Sequence, residues 1–167
     1  MKLIIAGSRS ITSYDTVKRA IIESGLWAKH KKSIEVVSGK ADGVDTLGEE
    51  FAKKNGLQIH SFPAKWDDIE APGAVVRTRR DGKKFNLLAG IWRNHEMGDF
   101  ADEALIVWSG ITEGPNKSTG SLDMATYMAE LGKPSYLHPI RSIPADLFDS
   151  LTAKGVEIIT PKSLTGS

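Results

Sequence analysis

Apolar residues in this chain follow two alternating rhythms: short β-branched runs that end at glycine, and longer stretches in which apolar positions recur every three or four residues. Residues 2–6 form the first run, which stops at Gly7. Its unbroken apolar character, Leu3-Ile4-Ile5-Ala6, suits a strand buried on both faces in the middle of a parallel sheet. Ser13 then offers a helix cap ahead of Val17, Ala20, Ile21 and Ser24, with Gly25 as the stop and residues 29–32 as a solvated connection. Residues 34–37 give a second strand. Val44, Leu47, Phe51 and Ala52 give the next helix, ended by Asn55-Gly56.

The same alternation carries the rest of the chain. A third strand is expected at 57–62. The rhythm then breaks: an acidic stretch (Asp67, Asp68, Glu70) and a Pro-Gly turn precede Arg77, Arg79, Arg80, Lys83 and Lys84, which reads as a long functional loop or hairpin, a basic insertion at about 68–86. Leu87, Leu88, Ile91 and Trp92 make the apolar stripe of a helix reaching about Phe100. Residues 104–108 are a strand, and 109–120 a polar, glycine-rich turn. Leu122, Ala125, Met128 and Ala129 mark a helix ended by Gly132-Lys133-Pro134; a strand at 135–138, a helix at 145–154 and a strand at 156–159 follow. Strands alternating with helices at this spacing predict an α/β fold over residues 1–160, a single-domain Rossmann-like sheet, mostly parallel, with helices on both faces; 161–167 is read as a tail.

Composition narrows the function classes. The 167 residues, 40% hydrophobic, suffice for one well-filled core. Cysteine is absent, so disulfides, thiolate zinc sites and a cysteine nucleophile are excluded. The first apolar run is too short for a signal segment, and no stretch approaches the roughly 20 apolar residues of a membrane span, so a soluble, cytoplasmic protein with no membrane partner is expected. The net charge of +1 is not that of a general polyanion binder, so nucleic acid is not the favoured partner.

The chemistry gathers where strands meet helices. Gly7-Ser8-Arg9 brings a turn without a Cβ, a hydroxyl and a guanidinium fork to the tip of the first strand, able to meet a phosphate or to be a plain tight turn. Ser38-Gly39 and Gly43 bracket a second turn, with Asp45 in the first turn of the following helix. Asp45 is an acceptor for ribose hydroxyls, a base, or simply a partner of the helix dipole, and Glu49 lies one turn on, along the same face. Arg93 and Asn94 either reach a ligand or serve the helix surface, Arg93 pairing with Glu96 or Asp102. Trp66, Trp92 and Trp108 are able to stack on a base, although Trp92 fits the core stripe. The four histidines show no metal-ligand spacing, so no metal or cofactor is expected beyond Mg²⁺ arriving with a phosphate. There is no Gly-x-Gly-x-x-Gly, P-loop or Gly-x-Ser-x-Gly motif, which disfavours dinucleotide dehydrogenases, P-loop NTPases and serine hydrolases.

Ala6-Gly7-Ser8-Arg9 together with Ser38-Gly39-Lys40-Ala41-Asp42-Gly43-Val44-Asp45 resembles the SLOG superfamily, which embraces the DprA/Smf proteins, the LOG phosphoribohydrolases and the YspA/YpsA-like proteins. Ala89-Gly90-Ile91-Trp92-Arg93-Asn94-His95-Glu96-Met97 and the segment from Ala101 to Gly110 resemble the YspA-like branch in particular. The resemblance implies a Rossmann-like sheet, a small nucleotide ligand, a homo-oligomer, and a site at Gly7, Ser8, Arg9, Ser38, Gly39, Gly43, Asp45, Arg93, Asn94, Gly110, Gly120 and Ser121. One departure bears on activity. LOG enzymes place a glutamate in a Pro-Gly-Gly-x-Gly-Thr-x-x-Glu loop, and here Gly120-Ser121-Leu122-Asp123-Met124 puts a methionine at that position.

Asp45, Glu49 and Asp123 are then the carboxylates available to stabilise the oxocarbenium character of N-glycosidic cleavage. The expectation is a protein that binds a nucleotide or nucleotide derivative, with hydrolysis of the N-glycosidic bond of a nucleoside monophosphate as the enzymatic form. DprA-like binding of single-stranded DNA is the alternative, and a non-catalytic interaction or sequestering module the third reading.

Overall fold

A computed structural model describes residues 1–114 and 117–160; the tail expected at 161–167 lies outside the described residues. The main sheet is built from β1 (Lys2–Gly7), β2 (Glu35–Ser38), β3 (Ile59–Ser61), β6 (Glu103–Trp108), β7 (Ser135–Pro139) and β8 (Glu157–Ile158). Its order is β3-β2-β1-β6-β7-β8, and every pairing in it is parallel. A separate antiparallel hairpin pairs β4 (Val76–Thr78) with β5 (Lys84–Asn86), so the basic insertion is a hairpin and not an open loop.

Period-two alternation along the central strands sends side chains to both faces. Leu3 and Ile5 of β1 join Val36, Leu105 and Val107 in one core, which α1 (Tyr14–Glu23) and α3 (Val44–Asn55) cover through Val17, Ala20, Ile21, Leu47 and Phe51. Ile4 and Ala6 join Val37, Ala104, Ile106 and Trp108 in the other, covered by α4 (Ala89–Phe100), α5 (Thr119–Glu130) and α6 (Ala145–Ala153) through Met97, Met124, Ala125, Met128 and Leu151. The right-handed crossovers run outward from β1 in one direction through β2 and β3, and from β6 in the other through β7 and β8. The covering helices therefore change face between β1 and β6, and a crevice opens at the carboxyl ends of those strands. Close approach is required there: a Cβ on Gly7 would sit 1.9 Å from the Val107 carbonyl oxygen.

Two elements depart from the expectation. The connection expected at 29–32 is helical, the end of α2 (Leu26–His30) and a 3-10 turn (Lys31–Ser33), anchored by the preceding residues, since Leu26 is buried and Trp27 meets the Phe51 ring edge-on at 5.4 Å. The lysines there do face water. The stripe Leu87, Leu88, Ile91, Trp92 is not the core face of α4, whose buried residues are Ala89, Met97 and Gly98; Leu87 and Ile91 are exposed. A lysine fixes the end of this helix: the Lys133 ammonium donates to the Gly98, Asp99 and Ala101 carbonyls at 2.7, 3.1 and 2.8 Å, satisfying acceptors that the helix leaves open.

Candidate functional site

The crevice between β1 and β6 is a cleft of about 580 Å³, in the size range of small-molecule sites. Gly7, Arg9 and Ser10 of the β1–α1 turn form one side, with Ala41 and Asp45 from the β2–α3 turn and α3. Lys117, Ser118, Gly120 and Ser121 come from the start of α5, and Met124 from its second turn. Gly90, Ile91, Arg93 and Asn94 of α4, with Leu87 and Trp66 beside the hairpin, complete the wall.

Three serine hydroxyls tie two of these segments together. The Ser109 amide donates to Ser8 Oγ at 2.8 Å, Ser8 Oγ donates to Ser118 Oγ at 2.7 Å, and Ser118 and Ser121 share a hydrogen bond of 2.7 Å. Ser8 and Ser121 are buried. Ser118 occupies the cap position of α5 yet spends its hydroxyl on this chain rather than on the helix, and the first turn of α5 carries no acidic residue. Its amides keep the partial positive charge that a cap would have offset. The Trp108 indole N–H donates to the Ser118 carbonyl at 3.0 Å, fixing the turn from below.

Asp45 lies across the cleft. It is buried at 3% exposure, and burial pushes its carboxyl up to about 6, against the pull of the Arg93 guanidinium and the amides of Ala41, Gly7 and Gly39. The Ala41 amide donates to Asp45 Oδ2 at 3.3 Å. Arg93 donates from Nη1 to the Gly39 carbonyl and from Nε to Asn94 Oδ1 at 3.0 Å; its own burial lowers its pKa. These groups converge on Gly39: a Cβ there would lie 2.7 Å from Arg93 Nη1 and 2.8 Å from Asp45 Oδ2.

The predicted residues divide in two. Gly7, Arg9, Asp45, Arg93, Asn94, Gly120 and Ser121 all line the cleft. Ser8 and Gly39 stand behind its wall, and Gly43, at the start of α3, packs on the Ser8 and Arg9 backbone. Gly110 lies against the Arg141 side chain. Ser38 and Glu49 turn to one another at 2.8 Å, and Lys40 closes on the second Glu49 oxygen at 2.6 Å, so Glu49 is committed to a pair outside the cleft although it shares a helix face with Asp45. Asp123 is absent from the lining, where its neighbour Met124 stands instead. Arg93 binds the Gly39 carbonyl and makes no ion pair with Glu96 or Asp102; the Asp102 carboxylate accepts from the Lys2 amide at 2.8 Å. Trp108 is fully buried and Trp92 does not line the cleft, which leaves Trp66 as the tryptophan facing it.

Sequence reasoning missed Ser118, Lys117, Leu87 and Ile91 as cleft residues. Lys117-Ser118 immediately before a helix was a legible signal. Leu87 and Ile91 carried none, since an apolar cleft wall and a core face share one periodicity. Among the described residues no group of three or more His, Asp or Glu side chains is arranged to hold a metal, and no helix is long and apolar enough to cross a membrane.

Residues 1–68 match the family model described as YAcAr: YspA, cpYpsA-related SLOG family. No curated protein matches the chain. Among solved structures it is similar to DNA processing protein A (DprA) from Streptococcus pneumoniae, with a TM-score of 0.61 at 19% identity over 97% of this chain and 59% of that one. It is also similar to DNA processing protein A from Helicobacter pylori, whose structure describes a single-stranded DNA binding mode, with a TM-score of 0.58 at 22% identity over 95% of this chain and 75% of that one. The chain thus spans about three fifths of the pneumococcal protein, and at these identities the likeness is one of fold. Its first 68 residues, which hold the Gly7 and Gly39–Gly43 turns, are thus similar to the YspA, cpYpsA-related SLOG family.

Proposed function

We propose that the cleft binds a nucleoside monophosphate or a closely related nucleotide. The phosphate sits at the start of α5, where the uncapped amides, Lys117 and Arg9 supply positive charge. Followed in one sense from the Ser109 amide, the serine chain leaves the Ser121 proton free to donate into the cleft. The base lies against Trp66, Leu87 and Ile91, whose apolar surface would otherwise face water. The single observation that carries this reading is the pairing of a cationic, amide-rich end with an apolar wall in one cleft at the sheet's switch point.

Hydrolysis of the N-glycosidic bond is the reaction the arrangement favours. Water adds to C1′ as the C1′–N bond breaks, and the base leaves with a proton. Asp45 is the carboxylate that lines the cleft, and when ionised it stabilises positive charge developing on the ribose. Single-stranded DNA binding, the alternative drawn from the sequence, is favoured by one observation, the cationic hairpin rooted at the cleft wall.

A panel of nucleoside monophosphates, ADP-ribose and cyclic nucleotides tests the reading, with thermal shift reporting binding and chromatography reporting released base. A shift for at least one nucleotide that Arg9→Ala diminishes is expected. A flat response to the whole panel overturns nucleotide binding. Binding without released base leaves the chain a nucleotide binder and removes the hydrolase.

A further inference from the structure

Residues 63–88 supply Trp66 and Leu87 to the cleft, yet they give no side chain to either core. Within this segment one residue is buried, and it is polar: Asn86, at 1% exposure. Apolar contacts ordinarily fix an insertion of this length; here hydrogen bonds to a single residue do so. The Asn86 amide donates to the Trp66 carbonyl at 2.6 Å, and its side-chain Oδ1 accepts from the Val75 amide at 3.3 Å and the Leu88 amide at 3.1 Å. The neighbouring Leu87 amide donates to the Val75 carbonyl at 2.8 Å. Three stretches therefore converge on Asn86: the one that carries Trp66, the residue ahead of β4, and the entrance to α4. Leu88 occupies the cap position of α4 without a side-chain cap of its own, so Asn86 serves the chain at that entrance.

This clasp stands directly behind the apolar wall of the cleft. The Trp66 ring lies on the first turn of α4, where a Cβ on Gly90 would be 3.0 Å from Trp66 Cη2. Leu87 follows Asn86 in the chain, and both Leu87 and Ile91 are exposed, so the wall has little packing of its own to hold it in place. Asn86 Nδ2 is buried and bonds to nothing, which identifies the oxygen as the working half of the side chain.

We propose that Asn86 is the positioning residue of the base-binding wall. Through Oδ1 it holds Trp66 and Leu87 where a base stacks, so the affinity that a nucleotide draws from its base depends on a side chain that does not line the cleft. The proposal rests on the nucleotide reading of the cleft and deepens it. Because residues 63–88 lie outside both cores, loosening them leaves the sheet intact, together with the cationic end formed by Arg9, Lys117 and the start of α5. The loss then falls on the base and not on the phosphate.

The test compares the wild type with Asn86→Ala and Asn86→Asp by calorimetry. Formycin and pseudouridine monophosphates, whose C-glycosidic bonds do not hydrolyse, report binding with a base, and ribose 5-phosphate reports it without one. Amide exchange over residues 63–88 is followed by mass spectrometry in the same proteins. The wild type should bind at least one monophosphate about tenfold more tightly than ribose 5-phosphate, as stacking of one base on an aromatic ring supplies. Asn86→Ala should bind the two equally, keep the ribose 5-phosphate affinity and the melting temperature, and exchange faster over 63–88. Asn86→Asp keeps the acceptor and loses only a nitrogen without a partner, so it should regain most of the preference. A preference that survives in Asn86→Ala, unchanged exchange there, or an aspartate variant no better than alanine overturns the role of Asn86 alone. Equal loss of both ligands with a lower melting temperature also overturns it, leaving Asn86 a residue of general stability. Equal binding of all ligands by the wild type removes the base wall and this role with it, and binding of none removes the nucleotide reading itself.

Discussion

Replacing Asp45 with asparagine should stabilise this protein at neutral pH while impairing its cleft. Asp45 ionises at about 6 in the folded chain against an ordinary 3.8, because burial outweighs the help of Arg93 and three backbone amides. For an acid raised in this way, the stability it contributes is fully present below 3.8 and is lost as pH rises through about 6. At neutral pH the charged carboxylate therefore weakens the fold by about 3 kcal/mol, taking 1.36 kcal/mol for each pKa unit. Asparagine keeps the shape and can still accept the Ala41 amide, but carries no charge. The stability gap between variant and wild type should be small at pH 4, about half open at pH 5 and fully open above pH 7. It corresponds to a melting shift on the order of 6–12 °C for a chain of this size. Urea denaturation of both proteins from pH 4 to 7.5 measures it. A gap that does not widen with pH, or a variant less stable at pH 7, refutes the claim that Asp45 is held at the cleft against its own desolvation cost. Loss of base release in the same variant, with its fold strengthened, would separate function from stability.

Two further outcomes follow from the same geometry. Gly39→Ala puts a methyl group among Arg93 Nη1 and Asp45 Oδ2, so nucleotide affinity by calorimetry should fall at least tenfold, at a stability cost of about 1–3 kcal/mol; unchanged affinity would remove the Arg93–Gly39–Asp45 convergence from the site. Lys133→Met removes three hydrogen bonds to the end of α4 and should destabilise by about 1–3 kcal/mol in chemical denaturation, with amide exchange faster at Ala101 than in the wild type.

Much of the fold was legible because strand and helix periodicities are local. Leu3, Ile4, Ile5 and Ala6 announced a strand buried on both faces, Ser13 capped α1 with an acceptor for the Thr16 amide, and Gly56 ended α3 in the left-handed region at φ 67°. Half-legible were the turns: Gly7-Ser8-Arg9 reads as a ligand loop, and Arg9 does line the cleft, but Ser8 serves as a strut to Ser118. Illegible was the split between Asp45 and Glu49. They lie one helical turn apart on a common face, and only the position of Lys40, in the left-handed region at φ 60°, draws Glu49 away while Asp45 stays with Arg93.

The sequence by itself determined the α/β alternation, the glycine punctuation and the absence of cysteine chemistry, since each is written in residue types and spacings along the chain. Tertiary structure alone decided which apolar stripe is core and which is a cleft wall, which of two neighbouring carboxylates faces the cleft, and where the cationic hairpin is rooted. The reason is physical. An apolar side chain is equally at home against a core or a bound base, and a carboxylate's charge depends on burial supplied by elements remote in sequence. Leu87 with Ile91, and Asp45 with Arg93, acquire their roles only when β1, β6, α3, α4 and α5 meet.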